Sequence, residues 1–155
     1  MALGPDANAA VPDLIQLAFD SKDPFQRAYT AALVAMVGVE SREALEAVIK
    51  LLHDSDQVVQ DRAALAVVEF GTDAAPAVPR LIEIVRSHPE GKPYSALMAL
   101  AGIGPPGNTA VPAIVERLKQ PELHANALSA LVRMPYRLSI TYSLPAKKRG
   151  AEAPL

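Results

Sequence analysis

Gly71-Thr72-Asp73-Ala74-Ala75-Pro76-Ala77-Val78-Pro79-Arg80-Leu81-Ile82 is the stretch that decides how this chain folds, because it recurs. Gly104-Pro105-Pro106-Gly107-Asn108-Thr109-Ala110-Val111-Pro112-Ala113-Ile114-Val115 follows it 33 residues later. Upstream, Gly38-Val39 and Gly4-Pro5 continue the series at spacings of 33 and 34. Seven residues after each Gly stands an apolar residue: Val11, Leu45, Val78 or Val111. Pro12, Pro79 and Pro112 follow three of these. Next come the apolar pairs Leu14-Ile15, Val48-Ile49, Leu81-Ile82 and Ile114-Val115, and then Ala18, Leu52, Val85 and Leu118. A fixed period of this length marks a repeat architecture.

Each copy reads as two helices. Val11, Leu14, Ile15 and Ala18 follow the i, i+3, i+4, i+7 spacing of one buried helical stripe. Pro12, Pro79 and Pro112 are tolerated in a first turn, where the amide has no intrahelical acceptor. This first-type helix therefore starts just before each Pro, with Asn8, Ser41, Asp73 and Asn108 as candidate N-caps. It ends near Asp20, Asp54, Ser87 and Gln120, among turn-forming residues. A second-type helix is clearest over residues 56–70, where Val58, Val59, Ala63, Leu65, Ala66, Val67 and Phe70 are apolar and Gly71 is placed to cap the end in a left-handed conformation. Residues 23–37, 92–103 and 123–134 are its other copies; Phe25, Ala28, Ala32, Leu33 and Met36 form the apolar set of the first of these. Ala31-Ala32 and Ala63-Ala64 allow neighbouring backbones to approach at the short end of the usual spacing of roughly 8–10 Å. A helix pair this short cannot bury its apolar face alone, so the pairs must stack. The expected fold is all-α, a right-handed α-solenoid of about four helix pairs, eight helices in all.

Composition agrees. The chain has 155 residues, the length of one ordinary domain. Half are hydrophobic, only 5% are aromatic, and alanine occurs 28 times. That is the make-up of closely packed helices rather than of a sheet sandwich. A net charge of −2 argues against a dedicated nucleic-acid binder. The absence of Cys excludes disulfides and thiolate chemistry. Neither a basic leader nor a membrane-length apolar run is seen, so the expected location is cytoplasmic, with no membrane partner.

The pattern resembles the HEAT-repeat family, in particular the short bacterial type known as PBS-lyase HEAT-like repeats. The residues that carry the likeness are Ala75-Pro76-Ala77-Val78-Pro79-Arg80-Leu81-Ile82, the copy from Gly104 to Val115, and the Asp54-Ser55-Asp56 turn with Arg62-Ala63-Ala64-Leu65. The likeness covers residues 1–135 as one solenoid that starts in mid-repeat, as though cut from a longer array. It implies that the Val-Pro helices line the concave side. Residues 136–155 read as an irregular, disordered tail. Within it Leu138-Ser139-Ile140-Thr141-Tyr142-Ser143-Leu144 alternates apolar and polar, and Lys147-Lys148-Arg149 forms a basic cluster, best read as solvated.

No residue set demands chemistry. His53, His88 and His124 recur at the same turn of successive repeats, too far apart to share a metal ion. Asp20, Asp23, Asp54, Asp56 and Asp61 crowd the same edge, where Asp caps helices and complements their dipoles. Gly102-Ile103-Gly104-Pro105-Pro106-Gly107 lacks the strand and the Lys-Ser/Thr ending of a phosphate loop. The expectation is therefore a chain that is not an enzyme, with no catalytic or metal residues and no cofactor. What remains is a surface. Asp13, Gln16, Lys50, Arg80, Glu83, Glu116 and Arg117 align across the Val-Pro helices with mixed sign, which suits a protein or peptide, or another domain of a longer parent chain, better than a polyanion. The reading is a protein–protein interaction scaffold. The alternative is an accessory subunit of an enzyme, such as the bilin lyases of the phycobilisome that give the repeat its name.

Overall fold

The computed structural model describes residues 9–87 and 93–134. Among them are eight α-helices and no strand. The first-type helices are α1 (Val11–Asp20), α3 (Arg42–Leu51), α5 (Val78–Ser87) and α7 (Val111–Arg117). The second-type helices are α2 (Pro24–Val37), α4 (Gln57–Ala66), α6 (Tyr94–Gly102) and α8 (His124–Arg133). The pairs α1–α2, α3–α4, α5–α6 and α7–α8 stack so that the principal contacts run within a pair or to the next pair. This is the one-dimensional order of an α-solenoid. The alternating tail segment and the basic cluster lie outside the described residues, as do Asn8 and His88.

The repeat signature explains the joints. Ser41 caps α3, its Oγ accepting from the Ala44 amide at 3.2 Å. Asp73 and Asn108 do not cap as expected. The residues before α5 and α7 instead wind into 3-10 turns, Val67–Ala77 and Pro105–Ala110, that run directly into the α-helix. The chain thus enters these helices already helical, so no side-chain cap marks the junction. The turn Val67–Ala77 also shortens α4, which the sequence extends to residue 70.

Gly71 breaks that 3-10 segment at φ 54° and ψ −131°, and Gly104 repeats the conformation at φ 91° and ψ −147°. Positive φ is as expected, but ψ is far from that of a left-handed helix. This region is essentially closed to residues with a Cβ. The third copy, Gly38, has φ −102° and is needed for closeness instead: a Cβ there would meet the Ala44 Cβ at 2.5 Å.

The core is aliphatic and continuous. Leu51, Leu52, Leu81, Leu97, Leu100, Ile103 and Ile114 are its largest fully buried side chains. The second-type row is seamed with small residues: Ala28, Ala31 and Ala35 on α2, Ala63, Ala64 and Ala66 on α4, Ala96 and Ala99 on α6, Ala127 and Ala130 on α8, all buried. At every junction between pairs the second-type helices meet over a longer stretch than the first-type helices do. A row that packs more closely would form the inner side of a curved stack, the opposite of what the family resemblance implies for the Val-Pro helices.

Two substitutions test this account. Leu81→Asp places a charge in the fully buried centre of the stack, which is expected to cost about 3–5 kcal/mol; loss of the cooperative thermal transition in circular dichroism is the expected result. Gly71→Ala meets no atom within 4 Å, so only backbone strain opposes it. A loss of about 1–3 kcal/mol in urea unfolding is expected, and an unchanged midpoint would show that the positive φ is dispensable.

Candidate binding surfaces and the junctions between repeats

The turns that join first- to second-type helices form one edge of the stack. There each junction between pairs carries one arginine. Arg27 on α2 donates from Nε and Nη2 to both carboxylate oxygens of Asp54, each at 2.9 Å, and from Nη1 to the Ser21 carbonyl at 3.1 Å. Arg80 on α5 donates from Nε to the Leu52 carbonyl at 3.2 Å. Arg117 on α7 donates to the Val85 carbonyl at 2.6 Å and to the Arg86 carbonyl. Ser21, Leu52, Val85 and Arg86 lie at the C-terminal ends of α1, α3 and α5, where carbonyls lack intrahelical donors and the helix dipole favours a cation. A guanidinium satisfies both needs with a planar fork.

Asp54 also accepts from the Asp56 amide at 2.8 Å. The Arg27 hydrogen bond is the main cause holding the Asp54 carboxyl below its ordinary value of 3.8, with the Asp56 amide helping; burial opposes them. The other acidic residues of this edge divide plainly. Asp23 caps α2 through the Phe25 amide and Asp56 caps α4 through the Val58 amide.

The seven aligned surface residues do not share one environment. Gln16, Lys50, Glu83 and Glu116 form an exposed column along the first-type row, and Asp13 is exposed beside it on α1. Arg80 is half-buried between the Leu52 carbonyl and Glu83, whose Oε2 lies 3.0 Å from Nη1. Arg117 is 7% exposed and serves the stack. Its counterparts Leu51 and Ile84 are buried as well, while Leu17 at the same register is 42% exposed because no described helix covers that side of α1.

The other row holds a surface that repeat alignment overlooks. Phe25, Tyr29, Leu33 and Met36 lie along the solvent side of α2, each 45–64% exposed. The opposite side of the same helix is the core face of Ala28, Ala31, Val34 and Ala35. A helix apolar all round is ordinarily a buried one. The surface continues across Arg62, whose guanidinium stands 5.6 Å from the Tyr29 ring centre, to Val58 and Leu65 on α4. Leu65 opens a cleft of about 390 Å³ shared with Val68, Tyr94, Met98 and Arg133. Leu128 and Val132 are further exposed apolar residues, on α8. The signal was present in the sequence: residues 28–37 contain no charge at all.

Among the described residues no group of three or more His, Asp or Glu could hold a metal ion. His53 is exposed at the end of α3, and His124 Nδ1 lies 3.1 Å from the Leu118 carbonyl at the start of α8. The glycine-rich segment is a 3-10 turn leading into α7. No described helix is long and apolar enough to cross a membrane.

Comparison with known proteins agrees with this geometry. The family model for HEAT repeats matches residues 11–92, more than half of the chain. No curated protein matches. A solved structure described as an engineered protein, a target of the Northeast Structural Genomics Consortium, superposes with a TM-score of 0.55 at 22% identity, covering 81% of this chain. This chain spans 62% of that one. The likeness concerns the fold alone.

The Arg27–Asp54 pair has a pH signature. Because its folded pKa is depressed, Asp54 contributes stability above the ordinary carboxylate value and loses it as pH falls through the folded one. The side chains are 14% and 12% exposed, so the pair lies between the surface and buried limits, at about 1–2 kcal/mol. Asp54→Asn is expected to melt lower than the parent at pH 7, with the two melting temperatures converging as the pH falls through the depressed carboxyl value of Asp54. A gap that persists in acid would show that the pair's charge is not its contribution.

Proposed function

The chain belongs to the HEAT-repeat family, and from that membership we propose that it is a non-enzymatic scaffold that binds a protein or peptide partner along the concave row of α2, α4, α6 and α8. The observation that carries the proposal is the uncovered apolar side of α2. Exposed apolar surface that is contiguous rather than scattered marks an interaction site. Phe25, Tyr29 and Met36 supply the aromatic and Met anchors that interfaces favour. Arg62 adds a stacked cation beside them. The partner chemistry that fits is an apolar segment, such as one face of an amphipathic helix laid into a groove, supplied by a separate protein or by an adjoining part of a longer chain.

The exposed column Gln16, Lys50, Glu83 and Glu116, with Asp13 and Arg80 beside it, supports a second surface of mixed charge on the outer row. Electrostatic complementarity there would steer and select a partner more than it would hold it. An accessory role beside a bilin lyase gains no support from the fold or from the family match.

The test compares capture of partners from the host extract, read by mass spectrometry, by three full-length forms. Tyr29→Glu with Met36→Glu should keep the parent's melting temperature and lose partners that the parent retains. Lys50→Glu with Glu83→Lys should keep them. Loss in the second form with retention in the first would assign binding to the outer row and refute the concave reading. Arg80 is left unchanged because it also serves the stack.

A further inference from the structure

A second cleft, of about 480 Å³, lies away from the concave row, between the start of α3 and the 3-10 segment that precedes α5. Its floor is apolar, formed by Val39, Leu45, Ile49, Phe70 and Pro76. Its rim carries Glu40, Glu46 and Asp73 against one cation, Arg42. Arg42 Nε already donates to Glu46 Oε1 at 2.9 Å, which leaves the exposed Glu40 and Asp73 as the uncompensated charges of the rim. The positive end of the α3 dipole is met locally by Glu43 and by the Ser41 cap. A volume of this size with an apolar floor and a few polar groups at the edge is that of a ligand site. Its occupant should be apolar at one end and cationic at the other.

The chain carries one segment of that make-up. Leu144-Pro145-Ala146-Lys147-Lys148-Arg149 has an apolar start and three consecutive cations. We propose that this segment docks in the cleft, Leu144 and Pro145 against the apolar floor and the basic cluster against Glu40 and Asp73. Reach permits it. The ten residues from Pro135 to Leu144 extend up to about 33–36 Å. The cleft lies about two repeats from Met134, a distance of roughly 20–30 Å at usual helix spacings. Attraction between exposed charges of this kind is screened by salt within about 10 Å at 0.1 M ionic strength, so docking should loosen as salt rises. The site is independent of the concave row, and either can fail without the other.

The test uses the full chain and amide chemical shifts of Val39, Glu40, Leu45 and Ile49. Lys147→Glu, Lys148→Glu and Arg149→Glu together alter only residues outside the described helices, and should displace these shifts from their parent positions. A blocked synthetic peptide with the sequence of residues 142–150, added to that triple variant, should move them back, less so at 0.5 M salt. Adding Glu40→Lys and Asp73→Lys, both at exposed positions, should weaken peptide binding about tenfold or more while circular dichroism stays helical. The proposal is overturned if the cleft amides are the same in the parent and the triple variant, or if the peptide shifts only amides of α2 and α4.

Discussion

Close approach along the alanine seam is the constraint on which the other features depend. With Ala31, Ala35, Ala63, Ala64, Ala96, Ala99, Ala127 and Ala130 buried between second-type helices, backbones draw together on one side of the stack. The first-type helices are wedged by Leu45, Val48, Leu81, Ile84 and Ile114. Unequal spacing of two parallel rows produces curvature, and curvature produces the extended inner surface that repeat proteins use. A larger side chain in the seam would therefore alter the groove as well as the core.

The seam alone does not set the angle between pairs. That falls to the turn edge, where Arg80 and Arg117 each tie one pair to the next through carbonyls at helix ends, and Arg27 does so through the Asp54 carboxylate while holding the Ser21 carbonyl of its own pair. The three come from different positions of the repeat, yet meet the same need. A helix end buried against a neighbour must find donors for its last carbonyls. A long cation from across the junction supplies them and complements the dipole as well. Arg117 and Arg80 look like members of a binding surface when the repeats are aligned. Packing shows them engaged with the chain itself.

The acidic edge has a similarly local explanation. Asp23 and Asp56 hold helix starts, and Asp54 holds Arg27. What is left for recognition is the uncovered side of α2, continued on α4, α6 and α8, and the polar column on the opposite row. These two surfaces differ in kind, one suited to apolar anchors and one to charge selection, so a partner could use them separately.

The helix pairs, their count and the stacking order were legible in the 33-residue period, because heptad-like spacing and proline at the first turn report local geometry that every copy must obey. The caps at Asp23 and Asp56 and the positive φ of Gly71 were legible for the same reason. The ψ of Gly71, the positive φ of Gly104, the 3-10 entries to α5 and α7, and the closer packing of the second-type row were not. Each depends on how closely a neighbour approaches, which no single repeat encodes. Alignment did place Arg117, which is buried, in the column of Leu51 and Ile84, apart from the exposed Lys50, but its charge drew it into the surface set. By itself the sequence determined a stack of helix pairs sharing an aliphatic core, since periodicity and proline act within a helix. Only the tertiary structure decided which row packs more closely and which polar side chains stay exposed, since those follow from how neighbouring helices approach one another.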